Sequence, residues 1–309
     1  MVQGARDVNR VLVSGATGHL GQAVIRQLAA RGIPTCALGR RPDALARLME
    51  QVASPHLVTA VVDLTQPETI NAAISKFGPF RQLIHLAAQI DGASLEAQLS
   101  GNLLTMIALV GALRENLEQI VNVSSMEVYG APRTYPISEA HPTAPDSYYG
   151  ASKLASEKFL QVFALERKAV VTHLRCSSIY GPGETIRRAS TVFLRNAIEG
   201  KSLRIAGDGS DLRDYIYVED AADAVLKSLE EKRPGVFNLG GGEPLSIKSM
   251  AEMVIRISGK SLPLEYGDRT KPKYDLALDI AKIGAEIGFK PQTTMEQGLA
   301  AEYQSFLRA

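Results

Sequence analysis

The sequence predicts an α/β fold: a doubly wound parallel sheet with a smaller mixed α/β lobe beside it. Three observations carry this expectation. Short β-branched runs alternate with longer segments of helical period through the first half of the chain. The first run passes through three closely spaced glycines straight into the first helix. After about residue 177 the alternation gives way to turn-rich stretches, GPGE, AGDGSD, RPG and GGGEP.

The elements follow in order. VLVS at 11–14 is a first strand, and LGQAVIRQLAA repeats apolar residues at three and four, which gives a helix over 19–31. PTCAL (34–38), LVTAVV (57–62), QLIHL (82–86), QIVNVS (119–124) and VVTHLR (170–175) are the further strands. The segments 94–117 and 148–167 are helical in period and length. Strands joined by helices make right-handed βαβ units. The dinucleotide-type half is therefore expected over 1–177 with 217–239, and the smaller lobe over 178–216 and 240–309.

Composition excludes several classes. Among 309 residues 45% are hydrophobic and 22% charged, which is globular rather than disordered or fibrous. Lys plus Arg number 34 against 33 Asp plus Glu, so no global field draws in nucleic acid or an anionic membrane. Cys36 and Cys176 sit singly in apolar runs, giving neither a disulfide framework nor a metal site. The N-terminus carries Arg6, Asp7 and Arg10 and only a three-residue apolar run, and no stretch approaches a membrane span. The expectation is a cytoplasmic protein without a metal.

The turn Gly15-Ala16-Thr17-Gly18-His19-Leu20-Gly21 links the first strand to the first helix. Glycines there serve a tight turn, close approach of backbone to a pyrophosphate and helix–strand packing, with the helix N-terminus facing the phosphates. A dinucleotide is the expected ligand. At the end of the second strand, where NAD sites place an acid, the chain has Arg40 and Arg41. Guanidinium forks suit a 2′-phosphate, which favours NADP(H) over NAD(H); the alternative is a pair of solvated surface charges. Asp63, ending the third strand, either contacts the adenine or caps the next helix.

Tyr149 and Lys153 lie four apart on one helix face, 24 residues after Ser125 at a strand's C-terminal end. An ammonium beside a phenol favours its ionised form, so the three side chains form a proton relay for hydride transfer at a carbonyl. His85 and His141 are expected as satisfied structural residues.

Taken together, GATGHLG (15–21), Asp63-Leu64, HLAA (85–88), Asn102, SSMEVYG (124–130), YGASK (149–153), Arg175 with YGPG (180–183) and RDYIYVED (213–220) resemble the extended short-chain dehydrogenase/reductase family. The resemblance runs through nearly the whole chain. It implies a Rossmann-like fold and NAD(P)-dependent epimerases, dehydratases or ketoreductases of nucleotide sugars. It implies roles for Ser125 as hydrogen-bonding hydroxyl, Tyr149 as acid/base and Lys153 on the nicotinamide ribose. Leu64, Leu86, Ala87, Ala88 and Asn102 would line or support the cofactor, Arg213 would pair with the substrate diphosphate, and two copies would form a homodimer.

Three departures concern the substrate. Met126-Glu127 stands where related dTDP-glucose 4,6-dehydratases have Asp-Glu, so Glu127 is either a base beside the sugar or a carboxylate with a local partner. Ser178 replaces a usual Asn, and Arg269 or Lys271 stands in for a second diphosphate-binding Arg. The function expected is reduction of a nucleotide-linked 4-keto sugar. A 4-epimerase and then a 4,6-dehydratase are the alternatives, and a dinucleotide-sensing binding protein is the alternative outside enzymes.

Overall fold

The computed structural model describes residues 10–90, 94–269 and 273–308. The dinucleotide-type half begins β1 (Val11–Ser14), α1 (His19–Ala30), β2 (Thr35–Gly39), α2 (Pro42–Val52), β3 (Leu57–Val61), α3 (Pro67–Phe77) and β4 (Gln82–His85). α2 and α3 both open on proline with an acid in the first turn, which suits the missing N–H and the helix dipole. Then come α4 (Leu95–Gln98), a π-helical turn (Leu99–Leu104), α5 (Thr105–Leu113), β5 (Gln119–Ser125), a 3₁₀ turn (Met126–Tyr129), α6 (Tyr148–Arg167) and β6 (Val170–Cys176).

The later elements are β7 (Ser178–Tyr180), α7 (Ala189–Ile198), β8 (Leu203–Ala206), β9 (Leu212–Arg213), β10 (Tyr215–Tyr217), α8 (Val218–Glu231), β11 (Gly235–Leu239), β12 (Leu245–Ser246), α9 (Ile247–Ser258), β13 (Leu264–Gly267), α10 (Ala281–Ile287) and α11 (Met295–Leu307). α11 is held at its start by a capping box between Thr294 and Gln297.

Seven strands form a parallel sheet in the order β11-β6-β5-β4-β1-β2-β3. The order reverses between β1 and β4, which opens a crevice at the carboxyl ends of the strands. One face packs Val24, Ile25 and Leu28 of α1 with Ala221, Val225 and Leu229 of α8 and Ile283 of α10. The other packs Ile70 of α3, Leu109 and Leu113 of α5 and Leu160 of α6. A third cluster joins Leu194 of α7, Val254 of α9 and Leu299 of α11 beside the two-stranded pairs β10-β7, β12-β9 and β13-β8.

Two expectations are corrected. The segment 94–117 is not a single α-helix, because a π turn interrupts it at Asn102. The run Leu95–Leu113, 19 residues with mean hydropathy 1.2, is also long and apolar enough to cross a membrane by length and composition alone. Here it packs against α3 and α6 and buries Gln98 and Asn102.

Candidate active site

A cavity of about 410 Å³ opens at the carboxyl ends of the parallel strands. Gly15, Thr17, Gly18, His19, Leu20 and Gly21 line it. Gly15 has φ +70°, and a Cβ there would stand 2.6 Å from the Ala87 backbone nitrogen. A Cβ on Gly21 would overlap the Gly15 carbonyl, so the turn and α1 meet only as glycine. Gly18 caps α1 without a side-chain bond, and the first turn holds no acid, which leaves its amides for an anion. This donor set fits a dinucleotide diphosphate.

Arg40 also lines the cavity, whereas Arg41 does not. The chain turns there: Arg41 is the N-cap residue of α2 and its side chain is exposed, so only one of the expected pair reaches the site. Asp63 and Leu64 line the wall. The Asp63 carboxylate accepts from the Thr65 amide (3.0 Å) and hydroxyl (2.7 Å), and these bonds hold it below the usual carboxylate range. It does not cap α3, whose N-cap is Gln66. Leu86, Ala87 and Ala88 complete this side.

Asn102 stands behind the cavity rather than in it. Its amide accepts from the Gln89 amide (2.7 Å) and donates to the Gln89 carbonyl (3.1 Å), Gln98 (2.7 Å) and Ser152 (3.0 Å). A fully committed side chain ties the β4 loop to α6 instead of touching a ligand.

β5 and α6 bring Ser125, Tyr149 and Lys153 to the cavity. Ser125 Oγ accepts the Glu127 amide (3.2 Å) and so opens the 3₁₀ turn. Ser147 caps α6 by accepting from Gly150 (3.0 Å) and donates to Glu127 (2.6 Å), which gives Glu127 a structural partner while it lines the cavity. A Cβ on Gly150 would stand 2.5 Å from the Glu127 carbonyl oxygen. Lys153 donates to the Val123 carbonyl (2.8 Å) and its ammonium lies 5.8 Å from the Tyr149 ring centroid.

The expected lowering of the phenol is therefore not what the geometry gives. Burial and then the Glu127 charge push Tyr149 up, against the opposing pull of Arg188 and the Ser125 hydroxyl. The phenol is held protonated. Burial brings Lys153 down to about 8. Beneath the site, Arg175 pairs with Glu157 through bonds of 3.1 and 2.8 Å, and Ser124 donates to the same carboxylate (2.6 Å).

The nominated diphosphate contacts lie elsewhere. Arg213 donates to the carbonyls of Leu212 (2.8 Å) and Tyr274 (2.7 Å), and Arg269 pairs with Asp211 (2.8 Å) and Asp208 (3.1 Å); neither lines the cavity. Their neighbours satisfy them first. Lys271 lies outside the described residues. Ser178 does line the cavity, with Arg188 Nη1 at 3.4 Å.

His85 is buried on Ser14 (2.8 Å) and burial pushes it down to about 3, so it is a neutral structural residue behind the cavity lining. His141 donates to the Pro142 carbonyl (2.9 Å). Among the described residues no cluster of His, Cys, Asp and Glu is placed for a metal.

Sequence reasoning missed Cys176, Glu184 and Arg188, all on the cavity wall. The i,i+4 spacing of Glu184 and Arg188, just after YGPG, was the one available signal. It also missed a link from the glycine-rich turn to the YGPG turn: His19 Nε2 donates to the Pro182 carbonyl (3.1 Å), with its Nδ1 3.5 Å from Glu184.

The sequence profile of the NAD dependent epimerase/dehydratase family matches residues 11–240. The chain belongs to the NAD dependent epimerase/dehydratase family. It is 28% identical to the dTDP-L-rhamnose 4-epimerase of Burkholderia thailandensis, over 97% of this chain and 95% of that one. It is 28% identical to the dTDP-4-dehydro-6-deoxyglucose reductase of Escherichia coli, over 94% and 95%. Among solved structures, the Thermus thermophilus UDP-glucose 4-epimerase complex with NAD superimposes with a TM-score of 0.83 at 26% identity, covering 97% of this chain and 99% of that one. Membership of this epimerase/dehydratase family makes the chain an NAD(P)-dependent enzyme with the Rossmann-like sheet that the motifs implied.

Proposed function

We propose that the chain is an NADP(H)-dependent oxidoreductase that reduces a nucleotide-linked 4-keto sugar to the alcohol. The observation that carries this reading is the meeting of Ser125, Tyr149 and Lys153 around a cavity that also holds the glycine-rich turn and Arg40. The turn and the α1 N-terminus hold the dinucleotide diphosphate, Arg40 the 2′-phosphate, and Asp63 and Leu64 the adenine side. A bound nicotinamide supplies the hydride. Tyr149, kept protonated by burial, donates to the carbonyl oxygen as that oxygen gains charge, and Ser125 hydrogen-bonds the same oxygen. Lys153 is placed to restore the proton that Tyr149 loses. Residues 178–216 and 240–309 form the sugar-side lobe.

A 4-epimerase is the second reading, favoured by the NAD in the Thermus relative and by the Burkholderia relative's activity. It uses the same three residues. The two separate in one assay: nicotinamide absorbance with NADPH and separately NADH, against dTDP-, GDP-, CDP- and UDP-linked 4-keto-6-deoxy sugars. Stoichiometric NADPH consumption supports the reductase. Interconversion of ordinary nucleotide sugars on tightly bound NAD, without consumption, overturns both it and the NADP preference.

The protein is further read as a cytoplasmic homodimer. Leu95, Leu99 and Leu104 and, on the adjoining α6, Phe159, Val162 and Leu165 are exposed, an apolar face suited to a second copy. Leu165→Glu should halve the mass measured by light scattering; an unchanged mass overturns this interface.

A further inference from the structure

Arg188, the N-cap residue of α7, lines the cavity with its guanidinium uncommitted. The committed arginines of this molecule show the contrast. Arg269 meets Asp211 at 2.8 Å and Asp208 at 3.1 Å, and Arg213 donates to the carbonyls of Leu212 at 2.8 Å and Tyr274 at 2.7 Å. Arg188 Nε is buried with no hydrogen-bond partner and stands 3.9 Å from Glu184, beyond hydrogen-bonding reach. Its Nη1 reaches Ser178 Oγ only at 3.4 Å. Glu184 is already occupied: one oxygen accepts the amides of Thr185 and Ile186, each at 2.7 Å, and the other faces His19.

A buried N–H without an acceptor costs about 1–3 kcal/mol, so a fork left this way in a cavity is matched by an acceptor that a ligand brings. Its place in the cavity says which part of the ligand. In the parallel sheet Ser125 stands beside Cys176, and Ser178, two residues further along, meets the Arg188 fork, so Arg188 faces the reacting end. Two carboxylates share the cavity wall there: Glu184, whose second oxygen lies 3.5 Å from His19 and 3.9 Å from Arg188 Nε, makes only a long ion pair to the fork, and Glu127 is held by Ser147 (2.6 Å).

We propose that Arg188 anchors a carboxylate carried by the sugar itself, so that the substrate is a nucleotide-linked hexuronic acid, with Ser178 as the neighbouring hydroxyl. The inference rests on the nucleotide-sugar reading above and narrows its sugar. A guanidinium fork on a carboxylate is bidentate and charge-assisted, whereas the hydroxymethyl group of a neutral hexose offers one weaker acceptor.

The test is calorimetric titration of the NADP-loaded enzyme with matched pairs, UDP-glucuronate against UDP-glucose and the same two sugars on dTDP. Within each pair only the carboxylate differs. The wild type should bind the glucuronate about tenfold more tightly or better in at least one pair. Arg188→Gln should remove that preference, and Arg188→Lys, which keeps the charge and loses the fork, should keep part of it. The readout is the ratio within a pair, which general damage to the fold lowers for both sugars alike. Equal affinities in the wild type, or no binding of any of the four, overturn the inference. So does an Arg188→Gln loss of affinity for UDP alone as large as for UDP-glucuronate, since the fork would then hold the diphosphate. A glucuronate preference without NADPH consumption on any nucleotide-linked 4-keto sugar, 4-ketohexuronates included, leaves Arg188 as inferred and removes only the reductase reading.

Discussion

Replacing Arg175 with methionine should cost about 3–5 kcal/mol of unfolding free energy. The side chains of Arg175 and Glu157 are 6% and 2% exposed, so water cannot take over when one partner is removed. Glu157 would keep only the Ser124 hydroxyl, and the Tyr129 ring, 4.9 Å from the guanidinium, would lose its cation. Glu157→Met alone should cost a similar amount, because it strands the guanidinium. The double variant should cost only about 1 kcal/mol, for the Ser124 hydroxyl left without its acceptor, since a buried ion pair replaced by apolar groups of similar size is often near neutral. Urea unfolding at pH 7, followed by circular dichroism, measures all three. A single-variant loss under about 1 kcal/mol, or a double-variant loss equal to the sum of the singles, refutes the reasoning. The sign with pH follows too. Burial alone would raise the Glu157 carboxyl, but the Arg175 bonds outweigh it and hold it low. The wild type's advantage is thus full above the unfolded value near 4.5 and fades as pH falls below it.

Tyr149→Phe should lower kcat by about 10²–10⁴ while NADP(H) binding, read by fluorescence titration, persists; retained turnover would remove Tyr149 from the chemistry. Gly21→Ala should abolish dinucleotide binding, because its methyl meets the Gly15 carbonyl; calorimetry showing unchanged affinity would contradict that packing. Arg40→Ala should narrow the NADPH-over-NADH preference in KM by about tenfold or more, and an unchanged ratio would show that Arg40 points at solvent. Glu302 is fully buried with neither oxygen hydrogen-bonded, and burial, then the Glu184 charge, push it up to about 8. A raised folded value gives stability that is present below about 4.5 and lost as pH rises toward 8. Stability relative to Glu302→Gln should therefore fall by about 1.4 kcal/mol per pH unit between pH 5 and 8, and a flat difference in urea unfolding would overturn this.

What the sequence made legible was local. The strands and the glycine-rich turn declare themselves within a few residues, because alternation, β-branching and the left-handed φ of Gly15 are properties of neighbours in the chain. Tyr149 and Lys153 were legible as an i,i+4 pair, yet the carbonyl that takes the Lys153 ammonium belongs to Val123, 30 residues earlier. The phenol's environment therefore could not be read from helix spacing. The same holds for the arginines. Arg213 and Arg269 look like free cations along the chain, but Tyr274 and Asp208 reach them through the fold, while Arg188, flanked by Arg187 in an ordinary-looking turn, is the one brought into the cavity. Arg40 and Arg41 together form the short link between Gly39, where β2 ends, and Pro42, where α2 begins, and the turn of that link brings only Arg40 to the cavity.

The π turn at Leu99–Leu104 carries one residue more than the helix around it needs. Removing a single residue there would let the helix run on unbroken, and everything before the deletion would rotate by about 100° and slide by about 1.5 Å relative to α5. The Asn102 amide would swing away from Gln89 and Ser152, and the β4 loop would lose its tie to the helix that carries Tyr149. In evolutionary terms, a shift of reading phase inside one helix, with no side chain of the relay altered, is enough to uncouple the cofactor wall from the acid/base group.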